Sequence, residues 1–145
     1  MSGVDGVVFP VELTVRAWST DRGVALFPVQ HEYVEMLWLP VIGPSSTWLL
    51  RRLGSWALAF PDGVSVVLPE LSESLGLGWT AGVHSSLQRS MRRLVMFGLA
   101  RWSGESFDVA AVVPPVSNRQ LERLSPGLVR AHDRMIERAE TARAA

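Results

Sequence analysis

The spacing of apolar residues changes along the chain from about two to between three and four and back again, and those changes predict the elements. Val11 to Trp18 alternates apolar and polar side chains, imperfectly, and predicts a strand, with a turn signal at Asp21-Arg22-Gly23. Tyr33 to Leu39 predicts a short helix closed by Pro40. Gly43-Pro44 then sets a cap and a pre-organised first turn for a helix. In that helix Trp48, Leu49, Leu53, Trp56 and Ala57 recur on one side and Arg51, Arg52 and Ser55 on the other. Pro61-Asp62-Gly63 turns the chain, and the β-branched Val64-Ser65-Val66-Val67 predicts a short strand.

Pro69 opens a second, short helix whose early acids, Glu70 and Glu73, suit a helix N-terminus. Leu71 and Leu75 face inward and Gly76 ends it. Ser85-Ser86-Leu87-Gln88 has the spacing of a capping box and begins a third helix, to about Phe97, with Leu87, Met91 and Leu94 inward. Gly98 to Trp102 leads into a strand, Ser103-Gly104-Glu105-Ser106 is a hairpin tip, and Phe107 to Val113 returns to Pro114-Pro115. A last helix spans roughly Asn118 to Ala139, broken at Ser125-Pro126-Gly127. The expected fold is α+β and mostly α. It divides into an N-terminal extension of strand, loop and short helix (1–42), a core (43–115) and a C-terminal helical extension (116–145).

Composition narrows the function. With 145 residues, 48 % of them apolar, the chain is long enough for one compact core. No apolar run approaches the ~20 residues of a membrane span, and Met1 to Asp5 lacks the basic start of a signal peptide. There is no cysteine, hence no disulfide or thiolate chemistry, and the expected compartment is the cytoplasm. His31, His84 and His132 show no metal-ligand spacing and read as surface or loop residues. Glu32 and Glu35 read as a solvated helix face rather than paired catalytic carboxylates. No nucleophile elbow or phosphate loop is present, so no enzyme and no cofactor is expected.

Net charge is zero but unevenly spread. Residues 1–42 hold two arginines against five acids, whereas Ser74 to Gly104 holds no acid and carries Arg89, Arg92, Arg93 and Arg101. All the basic residues are arginine, a codon signature of a GC-rich genome. A basic stretch within a neutral protein suits a small phosphate footprint.

Helix, short strand, short helix, longer helix and hairpin follow one another in the order of a winged helix-turn-helix. Leu71-Ser72-Glu73-Ser74-Leu75-Gly76-Leu77 resembles the first helix and turn of that motif. Arg93-Leu94-Val95-Met96-Phe97-Gly98-Leu99-Ala100-Arg101 resembles a recognition helix running into its wing. The stretch from Leu39-Pro40 to Pro114-Pro115 is similar to helix-turn-helix proteins of actinobacteria or their phages, and the resemblance covers about half the chain. It implies a nucleoid-associated regulator that binds double-stranded DNA by inserting helix 85–97 in the major groove.

With Leu87, Met91 and Leu94 inward, the opposite face would present Ser85, Ser86, Gln88, Arg89, Arg92 and, in part, Arg93, with Arg101 nearby at the wing. Arginine can pair with guanine, glutamine with adenine, and serine with base or phosphate. A solvated face is the plainer reading of such a helix, and Arg93, nearest the core, could instead pair with Glu70 or Glu73. Trp79 and Trp102 flank the expected DNA surface. Three features depart from the family: a longer turn at residues 78–84, an acid (Glu105) at the wing tip, and the apolar Val95-Met96-Phe97 before the glycine. Met96 and Phe97, with Leu121, Leu128 and Ile136 of the last helix, are the candidate interface residues. They fit intramolecular packing, a homodimer reading two half-sites, or a protein partner. The rival reading is therefore a winged helix used as a protein-interaction module, an adaptor or assembly factor.

Overall fold

A computed structural model describes residues 6–19 and 26–145; Met1 to Asp5 and the turn expected at Asp21-Arg22-Gly23 lie outside them. The strands are β1 (Glu12–Trp18), β2 (Phe27–Pro28), β3 (Val64–Val67), β4 (Ala100–Trp102), β5 (Ser106–Ala110) and β6 (Val112–Val113). The helices are α1 (Leu39–Ile42), α2 (Pro44–Ala59), α3 (Leu68–Ser74), α4 (Ser86–Met96), α5 (Asn118–Leu121) and α6 (Pro126–Ala144). The protein is thus α+β. No helix among the described residues is long and apolar enough to cross a membrane.

β1 is the strand on which the main sheet is built. The order is β3-β1-β5-β4, so β1 lies inside, antiparallel to β3 and parallel to β5. Leu13 stands opposite Val66 and Val15 beside Phe107. All four are buried. β4 and β5 form the expected hairpin, closed at Ser103 by backbone bonding to Ser106 and turned at Gly104, whose φ of 91° favours glycine. β2 and β6 pair separately. The buried cluster runs without a break from Phe9 through the core to Met135, drawing on all three segments of the chain.

Three local expectations change. Helix formation does not stop at Pro40. A π-helical turn, Val34–Trp38, runs into α1, which carries Pro40 in its first turn and ends at Ile42 before Gly43. Proline has no N–H for the carbonyl one turn back and its ring crowds that carbonyl; just ahead of it the Leu39 N–H reaches the Val34 carbonyl, five residues back, in the wider π pattern. On α2 the buried side is Leu49, Leu50, Leu53 and Ala57. Trp48 is 59 % exposed with Arg51 over its ring, and Leu50 takes its place. The last helix divides at Ser125 as expected but continues to Ala144, and a capping box starts α5, with Ser117 and Gln120 satisfying each other's backbone amides.

α2 crosses the sheet at very short range, and Gly54 permits it. A Cβ on Gly54 would stand 2.9 Å from a Val29 methyl and 3.0 Å from the Ala110 carbonyl oxygen. α6 is docked through Tyr33, which is fully buried and stacked on Phe27 at 4.1 Å between ring centres. The Tyr33 hydroxyl accepts the Val116 N–H (2.9 Å) and lies 2.8 Å from His132 Nδ1. Its own proton is left for that nitrogen, which accepts only when the ring is neutral there.

Gly54→Ala tests the crossing. Alanine is the better helix former by ~1 kcal/mol, so an uncrowded site would gain stability. Here the clash is with the buried Val29 side chain and with the Ala110 backbone, and urea unfolding should show a loss of about 1–3 kcal/mol. A stabilised variant would contradict the close approach.

Titration tests the α6 joint. Burial pushes the Tyr33 hydroxyl, the only tyrosine, up to about 12 from its ordinary 10. Burial also holds His132 below its ordinary 6.5. A raised pKa means Tyr33's contribution is whole below pH 10 and lost as pH climbs toward 12. A lowered pKa means His132's is whole above pH 6.5 and lost as pH falls through its depressed value. Tyrosinate absorbance should therefore have its midpoint near 12 in folded protein and near 10 in denaturant, and Tyr33→Phe should remove that alkaline loss of stability. Equal midpoints would show the hydroxyl to be solvated.

Candidate nucleic-acid interface

α4 has three faces, where amphipathic spacing alone suggests two. Leu87, Met91 and Leu94, at helical intervals, are all fully buried in the core. A second face, Ser85, Gln88 and Arg92, lies under the residues that lead into β1. The third, Ser86, Arg89 and Arg93, looks outward, with Met96 extending it at 62 % exposure.

The second face corrects the expected DNA surface. Gln88 is 1 % exposed, and its side-chain amide binds both backbone polar groups of a single residue, Phe9. Its Oε1 accepts the Phe9 N–H (2.8 Å) and its Nε2 donates to the Phe9 carbonyl (3.1 Å). Phe9 is itself core, edge-on to Trp102 and Phe107 at 5.3 and 5.4 Å. Arg92 donates to the Val7 carbonyl (3.1 Å) and to that of Val83. The Gln88 donor–acceptor pair that would suit adenine is thus spent on the chain's own backbone. Engaged there, Gln88 cannot close a capping box. Ser85 is the N-cap of α4 by backbone shape, but its hydroxyl is buried and has no partner among the described residues.

Arg101 is likewise engaged. It donates to Asp108 at 2.8 and 3.2 Å, and its guanidinium lies over the Trp18 ring. Asp108 is buried and also accepts from Ser106 (2.7 Å), so one buried carboxylate offsets this cation. Arg93 pairs with neither Glu70 nor Glu73 but donates to the Ile42 carbonyl (3.3 Å), which draws its guanidinium to the start of α2.

There the outward face becomes a site. A groove of about 260 Å³ lies between the first turn of α2 and the outer face of α4, with Ser45, Ser46, Ser86, Arg89, Ser90 and Arg93 among its walls and no carboxylate. Gly43 caps α2 with φ 84° and no side chain, leaving the amides of that first turn without a side-chain acceptor. Ser45 and Ser46 were not among the expected site residues. The sequence offered no distinguishing signal for them: α2 and α4 have no acid in the first turn, but neither do α1, α5 and α6.

The remaining candidates lie apart from the groove. Phe97, Leu121, Leu128 and Ile136 are partly buried against the core, which leaves Met96 as the exposed member of the interface set. Trp79 and Trp102 are also packed on the core, and Glu105 at the hairpin tip is exposed. His31 accepts the Tyr33 N–H, and His132 belongs to the α6 joint. Among the described residues no group of His, Asp or Glu could hold a metal ion. No known protein family, curated protein or solved structure matches the chain.

Gln88→Ala distinguishes a strut from a reader. Removing the amide strands two buried backbone groups, at about 1–3 kcal/mol each, so the unfolding midpoint in urea should drop clearly. A variant as stable as its parent would return Gln88 to the outer surface.

Proposed function

We propose that this chain binds duplex DNA as a winged helix-turn-helix protein, with α3 and α4 as the paired helices and the β4–β5 hairpin as the wing. The observation that carries the reading is the outward stripe of α4. Ser86, Arg89 and Arg93 lie there in line, inside a stretch free of acids from Ser74 to Gly104. The element order of the family supports it as well.

The mode differs from full base readout. Gln88 and Arg92 are turned to the Val7–Phe9 backbone and Arg101 to Asp108, so Arg89 is the principal side chain left to meet a base edge, with Ser86 beside it. Phosphate contacts then dominate affinity, and sequence preference is modest. A protein-contacting role rests on a different observation. Trp48, Leu58 and Phe60 stand 59, 70 and 51 % exposed at the outer side of α2 and its C-terminal end, more apolar surface than a DNA contact uses.

Binding to a duplex measured across salt concentrations tests the reading. Two or three neutralised phosphates give a log–log slope of about −2 to −3. Arg89→Ala should lower affinity roughly tenfold and flatten the slope by about one. No binding to any duplex at low salt and micromolar protein would favour the protein-contacting role.

A further inference from the structure

We infer that the groove between α2 and α4 is a binding site for a single phosphoryl group. The source assigned to that group, the DNA backbone, rests on the reading above; the site itself does not. Three independent features meet in the groove. The first is the positive end of a 16-residue helix whose cap is a glycine and whose first turn holds no acid. The second is a pair of guanidinium groups from another helix, with Arg93 tethered to the Ile42 carbonyl beside that end. The third is Ser90, only 6 % exposed, which lines the groove and whose hydroxyl has no partner among the described residues.

The chemistry selects the ligand class. Every ionisable group in the lining is cationic, and its other polar side chains are serine hydroxyls, set among the apolar Ile42 and Pro44, so an oxyanion with several acceptor oxygens satisfies the donors and a cation or an amine does not. About 260 Å³ falls below the usual range for drug-sized ligands, which points to one small group rather than a nucleobase with its sugar. Ser46, reaching the Ser90 carbonyl at 3.4 Å, ties the two helices at the base of the site, so the donors on both sides are held in place before a ligand arrives.

Ser86→Asp is the discriminating variant. Position 86 opens α4, where an acid strengthens the helix, so the protein stays folded while a carboxylate enters the groove. Arg130→Ala, on the exposed side of α6, makes the same change in net charge elsewhere. Inorganic phosphate titrated into the full chain should shift the amide resonances of Ser45, Ser46 and Ser86. Those shifts should survive Arg130→Ala and weaken about tenfold or more in Ser86→Asp. Shifts scattered over the surface, or equal in the two variants, would overturn the site. A short duplex then identifies the source. Loss of duplex affinity in Ser86→Asp alone assigns the phosphate to DNA. A groove that takes phosphate in a protein that binds no duplex keeps the site, removes the DNA reading, and makes its ligand a free phosphate compound.

Discussion

Threading β1 between β3 and β5 brings the residues before it across the Gln88–Arg92 side of α4, and much of the surface chemistry depends on that crossing. Val7 to Phe9 pass over the helix outside any strand, and backbone carbonyls and amides covered in this way must be satisfied. Gln88 and Arg92 satisfy them. Phe9 then closes the sheet end between Trp102 and Phe107. What an isolated α4 would offer as one broad polar face becomes a strut on one side and a narrow basic stripe on the other. The stripe sits next to α2 because α2 packs on α4 through the paired serines.

Charge follows the same partition. A protein with no net charge keeps a basic groove because its cations are spent unevenly. Arg101 is offset by a buried aspartate and Arg92 is absorbed by carbonyls, while Arg89 and Arg93 face a helix end that is itself positive. Like charges gathered there cost stability unless an anion joins them. A chain selected only for stability would gain by placing an acid at Ser45 or Ser86, as α3 does with Glu70.

Legibility divides at the range of the interactions. Helix α2, strand β3, helices α3 and α4 and the β4–β5 hairpin were readable because caps, turns and periodic spacing act over a few residues. The position of β1 was not, because nothing in an alternating run names its partners, and β5 lies far along the chain. The face of α4 failed for a related reason: periodicity identifies the side that meets the core but not what covers the other. One clue was in plain sight. Phe9, within Val7-Val8-Phe9-Pro10-Val11, is an aromatic that needed cover, and a glutamine among serines and arginines is as suited to gripping a peptide as a base. Trp48 was misplaced because six tryptophans invite burial, while this one shields an arginine at the surface.

The parallel pairing of β1 with β5 also sets an order of events in time. During synthesis β1 leaves the ribosome first, but Phe107, which lies beside Val15, follows about ninety residues later. At ordinary elongation rates that is a delay of roughly 5 to 20 s, long compared with the formation of a helix or a hairpin. β3 follows β1 by about fifty residues, so β1 first has neither neighbour and then β3 on one edge alone, and throughout Phe9 has no Trp102 or Phe107 to pack against. The nascent chain therefore exposes an apolar strand edge until the β4–β5 hairpin arrives, which is where a chaperone or a neighbouring nascent chain would first take hold.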